Sequence, residues 1–101
     1  MKTQVAELVD YMFWNKDNNH IDYTDDIEKI SSKDIMDAID YFLMNLSKQH
    51  TVPGNVFNTL QGIASWIKDY NHATAKQRYY ALHNISQYWD QRDITKDKWI
   101  L

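Results

Sequence analysis

The most distinctive candidate site in this sequence is one side of a predicted helix over residues 75–91. Six polar side chains recur there at helical spacing, which places them on a single face. They are Lys76, Tyr80, His83, Asn84, Gln87 and Gln91. They offer an ammonium, a phenol, an imidazole and amide groups, all of which form hydrogen bonds, and they include no carboxylate. We therefore predict that this face binds a macromolecular partner, and that the partner is a protein.

The same face supports an alternative hypothesis, a helix-turn-helix protein that binds nucleic acid. The turn Asn71–Ala73 would join two helices, and the second helix would enter the major groove. Asn and Gln amides pair with adenine, while Lys and Arg reach guanine or phosphate, and Arg78 and Arg92 flank the face. The net charge of −3 and the pI of about 5.7 argue against this hypothesis, because duplex-binding domains carry a basic surface.

Carboxylates form a second candidate surface in the first half of the chain. Residues 1–50 hold ten acidic side chains against five lysines. The candidate patch consists of Asp25, Asp26, Asp34 and Asp37. Asp34 falls in the first turn of a predicted helix, where acids interact favourably with the positive end of the helix dipole, so a solvated helix start explains it without any function. The functional interpretation is an acidic patch that docks a basic partner.

Residue types that perform catalysis or hold cofactors do not converge in this sequence. The four histidines, His20, His50, His72 and His83, include no pair at the i, i+4 spacing that places two imidazoles on one metal ion. Two glycines are too few for a dinucleotide-binding or phosphate-binding loop, and the chain has no cysteine. The sequence therefore predicts a non-enzymatic protein with no catalytic residues, no cofactor and no metal. A pocket that joined two carboxylates, or a histidine and a carboxylate, would favour an enzyme.

Apolar spacing predicts the elements that position these side chains. Residues 3–14, 32–49, 56–70 and 75–91 read as amphipathic helices, with a short helical turn near residues 24–30. In the last helix, Tyr79, Leu82, Ile85 and Trp89 are expected to point inward. The predicted fold is all-α: one domain, residues 1–101, forming a small antiparallel bundle of four main helices. An apolar tail, Trp99-Ile100-Leu101, would lie across that bundle or against a partner.

Local signals predict where three of the helices begin. Thr74-Ala75-Lys76-Gln77 fits a capping box, in which Thr74 and Gln77 bond each other's main-chain amides. Asn55 is the predicted N-cap of the helix over 56–70, and Thr24 or Asp25 that of the short turn. Gly62 lies inside a helix at a cost of roughly 1 kcal/mol relative to Ala, which suggests that a neighbouring helix approaches closely.

A charge-free run of seventeen residues, Thr51 to Ile67, contains most of the third predicted helix. We expect a central core element there, covered by the other helices and the tail, or else a partly bare helix that is covered by a second copy, as a homodimer, or by another partner. No run reaches the ~20 apolar residues of a membrane span, so a cytoplasmic location is expected. By analogy of size and architecture alone, the protein would be a phage or bacterial accessory, immunity or inhibitor protein.

Overall fold

The computed structural model describes residues 3–18, 20–49 and 51–89, and helices form all of their regular secondary structure. The predicted tail, Trp99 to Leu101, and the predicted contact residue Gln91 lie outside these ranges. The elements are α1 (Thr3–Trp14), α2 (Thr24–Glu28), α3 (Ser32–Tyr41), a π-helical turn (Phe42–Leu46), α4 (Ser47–Gln49), α5 (Gly54–Tyr70) and α6 (Ala75–Gln87). The predicted all-α class is confirmed.

Two helices, α3 and α6, occupy the centre of the fold. Helix α6 packs against α1, α2, α3 and α5, while α3 packs against α1, α5 and α6. Among the described residues, helix α5 has α3 and α6 as its main neighbours. It buries three side chains, Leu60, Ile63 and Ile67, and leaves more than half of its residues exposed. The other described helices therefore do not cover α5 as predicted, and the tail that was expected to complete the cover lies outside the described residues.

The predicted helix over residues 32–49 is continuous but changes its winding after Tyr41. The π-helical turn there coincides with two side-chain hydrogen bonds to main-chain carbonyls. Asn45 Nδ2 donates to the Tyr41 oxygen at 3.1 Å, and Ser47 Oγ donates to the Leu43 oxygen at 2.7 Å. Such bonds compete with main-chain amides for the same acceptors. Phe42 and Leu46 stay fully buried across the wide turn, so the core continues through it.

Helix starts follow the sequence signals only in part. The capping box is confirmed, because Gln77 N donates to Thr74 Oγ1 at 3.1 Å and Thr74 N donates to Gln77 Oε1 at 2.9 Å. The predicted Asn55 cap is wrong: α5 begins at Gly54, and its N-cap residue is Pro53, which makes no side-chain cap bond. Asn71 ends α5 in a left-handed conformation, with φ of 53°.

The short helix α2 is held at its start by a residue that precedes it. Asp22 Oδ1 accepts hydrogen bonds from Thr24 N at 2.9 Å and from Thr24 Oγ1 at 2.6 Å. These bonds lower the pKa of Asp22 because they stabilise its charged form. The predicted caps, Thr24 and Asp25, are therefore replaced by an Asp22 turn, a common role of Asp before a helix.

Gly62 does not mark a close approach of two helices within the described chain. A Cβ atom built on it would meet nothing within 4 Å, so the prediction of a tight contact is wrong. The residue instead lies exposed in the middle of α5. Across the residues that the structure describes, no helix combines the length and the apolar character that a membrane crossing requires.

Candidate functional site

The outer side of α6 borders an open groove of about 410 Å³ that α2 closes along one side. Four of the six predicted contact residues line it, namely Lys76, Tyr80, His83 and Asn84. Thr24, Ile27 and Glu28 contribute the wall from α2, and Ala75, Arg78 and Tyr79 complete the lining. We call this feature the α2–α6 groove. Its lining is mainly apolar, with charged groups at Glu28, Lys76 and Arg78, which is the usual composition of a binding site.

Tyr79 belongs to this groove and not to the core. The predicted inward residues Leu82, Ile85 and Trp89 are fully buried, but Tyr79 is 48% exposed. Its ring stacks on the imidazole of His83, with centroids 5.5 Å apart and ring planes at 8°. Residues four apart on a helix are surface neighbours, which accounts for the pair. The prediction that Tyr79 points into the core is wrong, because the buried side of α6 is narrower than the apolar spacing suggests.

The other predicted contact residues differ in how freely they can reach a partner. Lys76, His83 and Gln87 are exposed, whereas Tyr80 is half-buried and packs against the core. Asn84 is also half-buried, and its Nδ2 donates to the Tyr80 carbonyl at 2.8 Å. Gln87 lines a smaller neighbouring cavity of about 150 Å³, together with Tyr79 and His83. The exposed contact surface is therefore centred on Tyr79 and His83.

Arg78 joins the start of α6 to the segment between α2 and α3. Its Nε donates to the Ala73 carbonyl at 3.0 Å, and its Nη2 donates to Ser32 Oγ at 3.0 Å. Its Nη1 donates to the carbonyls of Glu28 and Ile30. A guanidinium that bonds several carbonyls at once fixes the elements that carry them. The sequence gives no signal for this role, since the Glu28 and Ile30 acceptors are main-chain atoms about fifty residues away.

The predicted acidic patch is not one exposed surface. Asp25 and Asp26 are exposed on α2, but Asp37 is half-buried and Asp34 is only 8% exposed. The prediction of an accessible Asp34 is wrong because the first turn of α3 packs against the rest of the fold. Its main-chain amide donates to Ser31 Oγ at 3.1 Å, which caps the helix. The exposed acids nearest the groove are therefore those of α2, including Glu28 in its wall.

Two buried polar groups lie beneath or beside the α6 surface. Trp89 Nε1 donates to Asp10 Oδ1 at 3.2 Å, which ties α6 to α1. Burial raises the pKa of Asp10, and the hydrogen bonds from Trp89 and Trp14 offset only part of that effect. Burial also raises the pKa of Tyr23, and the nearby Tyr11 and Tyr79 add to the shift. Within the described ranges, the buried Tyr23 hydroxyl has no hydrogen-bond partner.

A second groove, of about 510 Å³, lies between α3 and α5 and shares no lining residue with the α2–α6 groove. Its lining is more polar than that of the α2–α6 groove, with Gln61, Gly62 and Ser65 from α5 and Met36 and Asp40 from α3. Further around α5, Trp66 and Tyr70 are exposed and their rings lie 4.3 Å apart. The molecule therefore presents two separate surfaces of different polarity.

The fold and the groove define a small all-α protein with an open, mainly apolar groove. Among residues 3–18, 20–49 and 51–89, no three His, Asp or Glu side chains meet in a way that would hold a metal ion. Comparisons of this chain with protein-family models, with curated proteins and with solved structures found no match.

Proposed function

We propose that this chain is a non-enzymatic interaction protein that binds, and thereby inhibits or adapts, a protein partner through the α2–α6 groove. The observation that carries the proposal is the exposed Tyr79–His83 stack at the edge of a mainly apolar groove. Tyrosine contributes a large contact area with few rotatable bonds, so it is a frequent anchor at protein interfaces. A phage or bacterial accessory, immunity or inhibitor protein acting in the cytoplasm would fit this role.

The electrostatics of the groove favour a protein partner over nucleic acid. Arg78, a predicted phosphate or guanine contact, already donates to main-chain carbonyls. Asn84, a predicted adenine contact, is half-buried and its amide nitrogen donates to the Tyr80 carbonyl, which holds the side chain against its own helix. Glu28 in the wall and the exposed Asp25 and Asp26 beside it would repel phosphates.

The second candidate function is helix-turn-helix binding of nucleic acid. It is supported by the short turn between α5 and α6, in which Asn71 reverses the chain within the few residues before Thr74. In that case α6 would be the recognition helix, and Lys76 its exposed cation. Binding would then weaken steeply as salt concentration rises, whereas binding of an apolar protein surface would not.

The test is affinity capture from the native host, with Tyr79→Ala as the disruptive variant and Tyr70→Ala as its matched control. Both residues are exposed tyrosines whose rings contact a ring four residues away, but only Tyr79 lines the α2–α6 groove. We expect one protein to be enriched by the wild type and by Tyr70→Ala, and lost with Tyr79→Ala. The enrichment should survive nuclease treatment.

Two results would count against the proposal. Equal capture by both variants would place the contact surface elsewhere on the molecule. Loss of the captured protein after nuclease treatment would favour the helix-turn-helix function. Self-association, which the sequence predicts through residues 55–70, concerns residues that do not line the α2–α6 groove and is a separate proposal.

A further inference from the structure

Helix α5 turns a continuous face to solvent, and this face has an unusual charge distribution. Asn55, Asn58, Thr59, Gly62 and Trp66 are all exposed along it. From Gly54 to Ile67 the helix carries no charged residue, and its only charges, Lys68 and Asp69, lie at its C-terminal end. In the part of the chain that the structure describes, no element covers this face, although Asn58 and Gly62 also line the open groove to which α3 contributes Asp40. We call it the α5 outer face.

The α5 outer face is arranged around the midpoint of the helix. Gly62 is the middle residue of Gly54–Tyr70. Asn55 and Asp69 lie seven residues before and after it, and a seven-residue step is close to two helical turns, so the three residues fall on one line. No neighbouring atom lies within 4 Å of a Cβ placed on Gly62. A second helix can therefore approach the centre of this face closely.

We propose that the α5 outer face binds a second copy of this chain, with the two α5 helices antiparallel and crossing near Gly62. A two-fold axis there places each residue opposite one that is equally far from Gly62 on the other side, because such an interface is self-complementary. Asp69 would then face Asn55 of the second copy, and Gly62 would face Gly62. The arrangement brings no like charges together.

Charge complementarity at the two ends supports this occupant. Asp69 would lie beside the N-terminus of the second α5, where a negative charge is favourable. That terminus has no side-chain cap of its own, since its N-cap residue is Pro53. A parallel arrangement would instead bring Asp69 close to Asp69. The antiparallel arrangement is therefore the one that the charges of this helix favour.

The exposed aromatic pair on the flank of α5 adds apolar area to the interface. Trp66 and Tyr70 are 42% and 63% exposed, and their rings are already in contact. In the antiparallel arrangement Trp66 faces the short side chains Asn58 and Thr59 of the second copy, which leave room for an indole. Large, rigid aromatic side chains are the residues that contribute most to interfaces of this kind.

A charge substitution at Asn55 tests the proposal through sedimentation equilibrium of the full chain. Asn55→Lys would face Asp69 and should lower the dimer dissociation constant about tenfold at low salt, while Asn55→Asp should raise it about tenfold. Their effects on the stability of the helix itself run the other way. Asn55→Asp should stabilise α5 and Asn55→Lys should destabilise it, because a negative charge is favourable at a helix N-terminus and a positive charge is not. A change in folding stability therefore cannot imitate the predicted change in association.

A cysteine placed at the proposed axis tests the geometry. The natural chain has no cysteine, so a disulfide in Gly62→Cys can form only between two copies. We expect rapid oxidation of Gly62→Cys to a covalent dimer and slow oxidation of Glu7→Cys, an equally exposed control on α1. Wild-type protein that remains monomeric at high concentration, equal dissociation constants for the two Asn55 variants, or equal oxidation of the two cysteine variants would overturn the proposal.

Discussion

Helices α5 and α6 contribute similar buried side chains to the core but present very different outer faces. Leu60, Ile63 and Ile67 anchor α5, and Leu82 and Ile85 are among the residues that anchor α6. Beside α6, the short helix α2 builds one wall of a groove, and Arg78 holds the two together. Beside α5, helix α3 contributes Met36 and Asp40 to a larger groove whose lining is more polar. Both helices therefore border a groove, and the two grooves differ in the polarity of the side chains that line them.

The charge-free run from Thr51 to Ile67 shows that a segment without charged residues need not be buried. Its exposed residues include Asn55, Asn58, Thr59 and Gln61, which are polar without being charged. Such residues are well solvated, so absence of charge does not imply burial. In contrast, the more strongly charged helix α3 is central and even buries most of Asp34. A ranking of these two helices by the number of charges in their sequences would therefore predict the wrong one to be central.

The largest expected effect comes from removing the contact that fixes α6 to α2. Arg78→Ala leaves the carbonyls of Ile30 and Ala73 without their donor, and we expect a loss of about 2–3 kcal/mol in the free energy of unfolding. Urea denaturation followed by circular dichroism measures this change. Lys76→Ala is the control, because Lys76 is exposed on the same helix turn and should change stability by less than about 0.5 kcal/mol.

Equal effects of Arg78→Ala and Lys76→Ala would show that the Arg78 contacts do not stabilise the junction. If the Arg78 contacts shape the groove, Arg78→Ala should also weaken partner capture by the α2–α6 groove. Dimer formation through the α5 outer face should then remain, since none of the Arg78 hydrogen bonds involves a residue of α5. A single substitution would thus weaken partner binding at one surface and leave dimer formation at the other unchanged.

The second prediction concerns the exposed centre of α5. Gly62→Ala should raise the free energy of unfolding by roughly 0.5–1 kcal/mol, because alanine is the better helix former and its Cβ meets no neighbour. Gly54→Ala is the control, since Gly54 also has open space but lies at the helix start, where the benefit is smaller. Both values come from denaturation at low protein concentration. A destabilised Gly62→Ala monomer would contradict the open surface that the structure shows.

Much of the fold was predictable because it depends on local patterns. The spacing of Val5, Val9 and Met12 in α1 and the capping box at Thr74 are properties of a few neighbouring residues. Helix α1 has the predicted bounds, and α6 begins where predicted but ends at Gln87 instead of about residue 91. The groove was predictable only in part. Four of its residues share one face of α6, but α2 reaches that face through contacts distant in sequence, such as Arg78 with Ile30. Apolar spacing alone could not tell that Tyr79 is exposed.

A smaller effect is expected beneath the α6 surface. Within the described ranges the Tyr23 hydroxyl is buried without a hydrogen-bond partner, so Tyr23→Phe should keep the stability of the protein or raise it by up to about 1 kcal/mol. The ring contact with Tyr11, with centroids 5.9 Å apart, needs no hydroxyl and should remain. Tyr11→Phe is the control and should be neutral, because Tyr11 is exposed. Loss of stability in Tyr23→Phe would reveal a partner for the hydroxyl.

The smallest effect is one of pH, and it concerns the contact between α6 and α1. Burial raises the pKa of Asp10 above its ordinary value of 3.8, so the folded state holds a proton more tightly than the unfolded state. The stability that this provides is fully present below pH 3.8 and is lost as the pH rises through the folded pKa. Asp10→Asn, which can still accept the Trp89 hydrogen bond, should therefore be more stable than the wild type at neutral pH.

The advantage of Asp10→Asn over the wild type should disappear below pH 3.8, where Asp10 is protonated in both states.

Asp22→Asn should show the opposite dependence, because hydrogen bonds from Thr24 lower the pKa of Asp22. The stability that Asp22 contributes is present above pH 3.8 and is lost as the pH falls through its folded pKa, so this variant should be less stable at neutral pH. Thermal unfolding of both variants and the wild type across this pH range measures how the stability of each variant, relative to the wild type, changes with pH. Parallel curves for all three proteins would show that neither carboxylate is coupled to folding.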